Sequence, residues 1–427
     1  MKLSSQLLMS AASVIMLNAR IIPYHVESLW LLSLTSLMPI AVLGVLGDSF
    51  ILLLVTILLS FVPVIKTIGV TCCFSFAFAV LTLLIKRERF SLTLCVEGAC
   101  VWTALVWCVV SASDSGSLIG LTGGLALLPW LIQPTRFIGF SGSECVLAIL
   151  NYSLAGLVIT GQSKYVKLVI CVISIWCVSS LWLLHSRHDM STSASEVTVG
   201  LVRSSDRQLR YELAAEAVKL GADVLVWLPG WRNSNRDCRA SIADELHTLS
   251  VSLPIITDCE GLVFVADQGG VNLADASYHL PSKQVNIVFT HSKDLDDPSL
   301  ISELLARRAI VLDYGNASTA AIVLRSIENR VGIVHVGMPS SITDASGTVV
   351  AQLDDTNSRG DLVIEQLRPT HGTWRLLHAL VAPACIVYLF INIVRRRLLQ
   401  PSQFNPPMRT SLRRRSLVSL IDEPLGI

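Results

Sequence analysis

Apolar residues crowd into two blocks of this chain, residues 1–184 and 376–394, and between them lies a stretch of ordinary globular composition. That segregation limits the fold more than any motif. A helix that crosses a bilayer needs about 20 mostly apolar residues. Runs near that length are predicted at 5–20, 27–46, 49–66, 67–85, 91–110, 144–161, 167–184 and 376–394. Only 15% of the residues are charged, against about 25% in soluble domains, so a wholly soluble protein is excluded. The run "SLIGLTGGLALLPWLI" at 117–132 is shorter and is broken by Gly120, Gly123, Gly124 and Pro129. It predicts a re-entrant or surface-lying segment, because non-helical backbone at membrane depth must be shielded by protein.

Lysine and arginine in short loops set orientation. The clusters at Lys86–Arg89, Gln162–Lys167 and Arg395–Arg397 all fall on one side, the cytoplasmic one, if 117–132 does not cross. The polar stretch then lies outside; Arg20 and Lys66 fit neither orientation well. The N-terminal "MKLSSQLLMSAASVIMLNAR" has the look of a signal peptide, but further apolar runs follow at once, so it reads as a first membrane helix. The chain is predicted to divide into a membrane domain at 1–187 (about seven helices), an α/β domain at 194–370, a final span at 376–394 and a basic tail at 395–427. That tail reads as a cytoplasmic positive-inside anchor, or as a segment lying on anionic lipid. Most of the eleven cysteines sit in apolar runs, where they act as small hydrophobes; only Cys238 and Cys259 fall in the polar part, and there is no CxxC.

From Glu196 the periodicity changes. "EVTVGLVRS" predicts a strand, "DRQLRYELAAEAVKLG" a helix stopped by Gly221, and "DVLVWLPG" a buried strand. "IADELHTLSVS" and "SLISELLARR" predict helices, the latter opened by Asp297-Pro298. "LPIITDCEGLVFVAD" predicts two short strands, "QVNIVFTHS" and "AIVLDYG" one each, and "STAAIVLRSIENR" a helix. "VGIVHVGM", "SSITDASGTVVAQL", with a turn at Asp344–Gly347, and "DLVIEQLR" close the sheet. Alternating strands and helices imply stacked α/β layers.

Two features carry a resemblance. "RSIENRVGIVHVGMPSSITDASGTVVAQL" (Arg325–Leu353) resembles the segment of the nitrilase, or carbon-nitrogen hydrolase, superfamily in which a helix leads into a strand and a Gly-centred hairpin. The layout of membrane helices, external domain and closing helix is similar to the apolipoprotein N-acyltransferases, as is "LPWLIQPTRFIGFSGSECVLAILNYSLAGLV" (Leu128–Val158). The resemblance implies a polytopic α-helical membrane protein with an inserted α/β nitrilase-like domain, an α-β-β-α sandwich, on the extracytoplasmic side.

It also implies a Glu-Lys-Cys triad: Cys attacks an ester as thiolate, Glu moves the proton and Lys steadies the oxyanion. The Glu position falls on Gly230 and the Cys position on Ser292, and Lys283 is a weak candidate for the Lys. The nearest carboxylates to Gly230 are Asp237 and Asp244, in the next loop and helix. Members of such a unit act together, so its loss implies a degenerate domain. The compact domain and missing triad look most like the TraB-type conjugal transfer proteins, which implies an accessory inner-membrane role with membrane lipid and conjugal transfer apparatus proteins as partners. The alternative is an active acyltransferase or hydrolase with relocated residues, Ser292 or Cys259.

Other candidates have plainer readings. Cys259-Glu260 is a packed cysteine at the wrong place in strand order, and His185, His188 and Asp189 form a polar collar where a helix leaves the membrane. Ser292, Lys293 and Asp294 are a solvated strand end, and His291 beside Ser292 points to the opposite face. Glu97 and Glu144 are acids in or beside membrane helices and are functional candidates by default. Trp102, Trp107 and Trp130 suit interfaces or helix packing. No phosphate-binding loop or nucleic-acid signature is present, and no cofactor or metal is expected.

Overall fold

Asn151 and Pro39 together explain where the second helix of the chain begins. In the computed structural model, the Asn151 side-chain carbonyl accepts the backbone N–H groups of Leu37 and Met38 at 2.9 and 3.0 Å, and Pro39 occupies the first turn. Donors at a helix start have no partner within the helix, and here a buried amide from a distant helix supplies the acceptor. The structure describes residues 3–19, 34–47, 49–61, 68–86, 90–112, 120–126, 128–185, 196–204, 206–228, 253–259, 262–267, 270–274, 277–291, 309–315, 317–337, 339–353, 361–367 and 375–399.

The first block contains α1 (Leu3–Ala19), α2 (Met38–Leu46), α3 (Phe50–Phe61), α4 (Ile68–Ile85), α5 (Leu92–Ala112), α6 (Leu121–Leu125), α7 (Thr135–Thr160) and α8 (Ser163–His185). Among the described residues, α4, α5, α7 and α8 are long and apolar enough to cross a membrane, so this is a multi-pass membrane protein. The spans predicted at 27–46 and 49–66 are helical over the shorter stretches α2 and α3, and the rest of each lies partly outside the described residues.

One boundary differs plainly. The helix predicted to begin at 144 begins at Thr135, because two helical pieces join across Gly139 (φ 69°, ψ 177°). Its first piece, Thr135–Ile138, is a single turn carrying Arg136, and the stretch that follows to Glu144 is rich in Gly and Ser, so residues 135–143 do not read as a lipid span. The broken segment predicted at 117–132 forms α6 and a series of turns, and Leu121, Leu125, Leu131 and Ile132 are buried in the same core as the helices. Trp176 and Ser180 of α8 both donate to the Leu131 carbonyl, at 2.6 and 3.0 Å. Non-helical backbone in this part of the chain is thus shielded and hydrogen-bonded, as an apolar surround requires.

The polar stretch builds two sheets. Its elements are β1 (Val197–Arg203), α9 (Arg207–Lys219), β2 (Val224–Trp227), β3 (Ile255–Cys259), β4 (Leu262–Asp267), β5 (Gly270–Leu273), β6 (Ser277–Leu280), β7 (Val285–His291), β8 (Ala309–Tyr314), α10 (Thr319–Asn329), β9 (Ile333–Val336), β10 (Ser341–Thr343), β11 (Val349–Gln352) and β12 (Asp361–Leu367). One sheet runs β12-β1-β2-β3-β4-β5 and the other β11-β10-β9-β8-β7-β6. Each has three parallel strands at its centre, β1-β2-β3 or β7-β8-β9, and antiparallel strands outside them.

β5 and β6 fall in the segment "QGGVNLADASYHLPSKQ", where no strands are predicted. They are edge strands of four residues, one closing each sheet, too short for their alternation to stand out from the polar residues around them. β12 pairs with β1, so "DLVIEQLR" closes the first sheet and not the one that precedes it in the chain.

The sheets pack face to face. Val199, Leu201, Val226 and Ile256 of the first sheet meet Ile287, Leu312, Val334 and Ile342 of the second. Alternate residues cover the outer faces, as a period of two dictates. Leu225 and Trp227 lie under Ala214 and Ala217 of α9, while Val311 and Ile333 lie under Ile322 of α10. The inserted domain is therefore four layers, helix-sheet-sheet-helix. A last helix, α11 (Arg375–Leu399), follows. Met1–Leu389 forms one compact unit.

Candidate functional site

In open α/β sheets the carboxyl ends of parallel strands are where ligands and catalytic groups gather. Here β2 ends at Trp227 and continues into Leu228, which is buried in the gap between the sheets. Gly230, Asp237, Asp244, His188, Asp189, Glu260, Ser292, Lys293 and Asp294 lie outside the described residues. The nearest described carboxylate on that side is Asp258. Trp227 pairs with Thr257 in parallel register, so Asp258 stands beside Leu228 and, two residues on from buried Ile256, faces the same gap. Opposite it, β8 ends in Tyr314, which is buried in the same layer. Burial, and then the Asp258 charge, hold the Tyr314 phenol well above its ordinary pKa. Asp258 is not singled out in the sequence because a lone Asp in "IITDC" is indistinguishable there from a strand-end turn residue.

Lys283 is at the other end. Its ammonium lies 3.2 Å from Asp223 and donates to the Glu196 carbonyl at 3.0 Å. Asp223 in turn accepts the Thr198 N–H at 2.8 Å. These groups sit where β1 and β2 begin, and Lys283 itself precedes β7. Ser292 follows the last residue of β7, and a strand of that length, rising about 3.3 Å per residue, separates its two ends by roughly 20 Å. Lys283 therefore fastens the amino ends of the two sheets and is not brought toward the Ser292 end.

A second polar group crosses the outer face of β7, β8 and β9 near their carboxyl ends. Asp313 accepts from His335 Nδ1 at 2.8 Å and from the Thr290 hydroxyl at 3.3 Å, and all three side chains are buried. Register explains the row: Thr290 pairs with Asp313, and Asp313 with His335. An Nδ1–H donated to the carboxylate fixes the orientation of the ring and turns Nε2 away from Asp313. Nε2 has no hydrogen-bond partner among the described residues. A side chain at Gly337 would collide with this ring and with the Gly315 carbonyl. The chemistry is that of an oriented imidazole. The sequence signal was an Asp and a His inside apolar runs, "AIVLDYG" and "VGIVHVGM", since a buried charge needs a partner.

The "SIENR" motif does something different. α10 carries Arg325 and Glu328, which pair with each other and are both buried. Glu328 also accepts the Phe140 N–H at 2.7 Å. That N–H follows the break at Gly139, so the acid caps the second piece of α7 as an N-cap residue would. The Arg325 guanidinium stacks 5.7 Å from the centre of the Phe140 ring, and Arg330 sits 4.9 Å from that of Phe137. Burial lowers the Arg330 pKa. Gln133 donates to the Ser346 carbonyl at 3.0 Å. The inserted domain is thereby joined to the membrane helices through buried polar bonds.

The membrane acids are placed. Glu144 is buried and accepts from Trp102 Nε1 at 2.7 Å and from the N–H groups of Leu121 and Thr122 at 2.9 and 2.6 Å. It is thus the start cap of α6. A Cβ on Gly120 would come within 2.5 Å of its carboxylate. Glu97 is buried within α5. Trp107 is half-buried, and Trp130 is exposed. His185 ends α8 and is exposed. Among the described residues no group of three or more His, Cys, Asp or Glu side chains is arranged to hold a metal ion. No protein-family model matches the chain, and no curated protein matches it either.

Proposed function

We propose that this protein is an inner-membrane accessory component of plasmid conjugal transfer, acting by contacts, with a nitrilase-like domain on the periplasmic side that has lost its catalytic unit and a C-terminal tail in the cytoplasm. The layout and the Arg325–Leu353 segment support the relationship. The observation that carries the loss of catalysis is Lys283. The domain has three lysines, Lys219, Lys283 and Lys293. Lys219 ends α9 and is exposed, Lys283 is held by Asp223 and the Glu196 carbonyl at the amino ends of the strands, and Lys293 lies outside the described residues. An ammonium committed there cannot steady an oxyanion at the carboxyl ends, and the Glu and Cys positions carry Gly230 and Ser292.

A second reading retains chemistry. Asp258 stands one strand away from the expected acid and faces the same gap as Tyr314. It could serve a relocated acyltransferase or hydrolase site.

Expression in a bacterium depleted of its own apolipoprotein N-acyltransferase decides between them. The accessory reading expects no growth rescue and no lipoprotein N-acylation with the protein present in the membrane. It also expects plasmid transfer to fall on deletion of the gene and to return with Lys283→Met. Rescue of N-acylation, abolished by Asp258→Asn, would establish the second reading instead.

A further inference from the structure

Of the four long membrane helices α8 is the least buried, and Ile170, Ile175, Val178, Leu181 and Trp182 stand exposed along it. Its 23 residues rise about 35 Å, a little more than the roughly 30 Å of bilayer hydrocarbon. Trp182, three residues before the end at His185, therefore lies where hydrocarbon gives way to headgroups. Exposed Trp130 sits at a similar height, because the neighbouring Leu131 carbonyl accepts from Trp176 and Ser180 of α8. Tryptophans at that depth form the aromatic belt of a membrane protein. From this belt a stack runs into the inserted domain. The Trp182 ring lies against Phe137 of α7, with centres 6.5 Å apart and planes at 26°. The Arg330 guanidinium lies 4.9 Å from the centre of the same Phe137 ring. Arg330 is half-buried, so the domain holds a guanidinium one aromatic ring away from the lipid-facing surface, at headgroup depth.

The backbone at Arg330 is an independent observation that points to its side chain. It ends α10 at φ 53° and ψ 44°, the left-handed position where helices usually place Gly. That region disfavours every residue with a Cβ, and among the described residues only Gln284 and Arg330 occupy positive φ without being Gly. We propose that Arg330, backed by Phe137 and Trp182, binds the phosphodiester of a phospholipid in the leaflet on the domain's side of the membrane. A guanidinium offers phosphate oxygens two parallel N–H donors, and the aromatic stack fixes its position. The acyl chains then run along the exposed apolar face of α8. The lipid is held and not consumed, and it bridges α10 of the inserted domain to α8 of the bundle. This site goes beyond the transfer role and does not depend on it, since it needs only that α8 spans the membrane.

The test uses the full-length protein in detergent, stripped of endogenous lipid and titrated with phosphatidylglycerol, with bound lipid followed by native mass spectrometry and stability by thermal unfolding. The expected result is a retained lipid and a raised unfolding midpoint. Diacylglycerol, which has the chains and no phosphate, should give neither, and inorganic phosphate should give neither. Arg330→Gly should weaken lipid binding by about tenfold or more. Gly suits the left-handed backbone, so this variant is expected to fold. Arg330→Lys keeps the charge but not the two parallel donors, and its affinity should fall between the two. Unchanged lipid affinity in Arg330→Gly overturns the proposal. A midpoint rise with diacylglycerol equal to that with phosphatidylglycerol also overturns it, since the surface would then be apolar only. So does the full effect from inorganic phosphate, which would make this a site for a soluble anion. The three-ligand comparison is made on the unaltered chain, so a variant that fails to fold neither rescues nor sinks the proposal.

Discussion

α9 and α10 occupy matching places, one on each outer face of the sandwich, yet their surroundings are opposite. α9 buries Arg210, Ala214 and Ala217 against the first sheet and leaves Arg207, Gln208, Glu212, Glu216 and Lys219 exposed. α10 is buried from Ala320 through Glu328. Its Ile322 packs on the second sheet, while Ala320, Val323, Leu324 and Ile327 belong to the core of the membrane helices. Each fully buried side chain of the Val, Leu or Ile kind contributes about 1.5–3 kcal/mol, so the second face of α10 is a substantial part of what holds the two regions together. A polar pair in α9, Gln208–Glu212, meets water; the ion pair Arg325–Glu328 in α10 meets only protein.

The difference makes its largest prediction at Glu328. Glu328→Ala strands the buried Arg325 and the Phe140 N–H, and removing one member of a buried pair costs about 3–5 kcal/mol. Glu212→Ala on α9 removes an exposed bond to Gln208 and should change stability by no more than about 0.5 kcal/mol. Thermal unfolding of the detergent-extracted protein measures both. Equal effects would mean that α10 does not join the two regions in the way its burial implies.

Part of this contrast is legible in the sequence. "DRQLRYELAAEAVKLG" is amphipathic and reads as a one-sided helix, and "STAAIVLRSIENR" is apolar enough to be a core helix. What the second helix touches on its far side is not legible, since periodicity reports faces and not partners. The same limit hides the cap that Glu328 gives α7 and the cap that Asn151 gives α2. Each joins residues far apart in the chain. β5 and β6 are missed for another reason: "GVNL" and "SYHL" are edge strands of only four residues, at the lower limit of the length at which alternation signals a strand. Lys283 is recognised as a candidate by type, and its partner Asp223 becomes visible only when the strand starts are set side by side.

Glycine turns beside the two helices give the next largest effect. Gly347 has φ +80°, and an added Cβ would lie 2.6 Å from Ile327 Cδ1 of α10. Gly221 has φ +84° at the end of α9, with nothing within 4 Å of the same point. Gly347→Ala therefore carries backbone strain and overpacking, about 1–3 kcal/mol for the latter alone, whereas Gly221→Ala carries strain alone, about 1–2 kcal/mol. The difference between the two losses in urea unfolding isolates the packing of α10 against the β10–β11 turn. Smaller again is the cap of the exposed helix. Asp206 accepts from Gln208 and Leu209 at the start of α9, and Asp206→Ala should cost about 1 kcal/mol, seen as a lowered unfolding midpoint with unchanged helix content.

The smallest effect at neutral pH, and the one most sensitive to what lies between the layers, belongs to Tyr314. Its phenol sits in the core shared by the two sheets, and burial and Asp258 raise its folded pKa well above 10. The unfolded value is about 10. The fold therefore favours the protonated phenol, and the resulting stability is fully present below about pH 10 and is lost as pH rises toward the folded pKa. Tyr314→Phe keeps the ring and removes the titrating group. It should leave neutral-pH stability close to the parent's and flatten the decline in stability above about pH 10, with phenolate absorbance in the parent rising together with unfolding. Asp258→Asn should flatten that decline in the same direction but less than Tyr314→Phe, because burial is the larger cause of the raised pKa. If Tyr314 instead titrates before unfolding, the gap between Asp258 and Tyr314 admits water at the carboxyl ends of the strands. A water-filled gap there is what a working site would need, and a dry one is what a domain that acts by contact would keep.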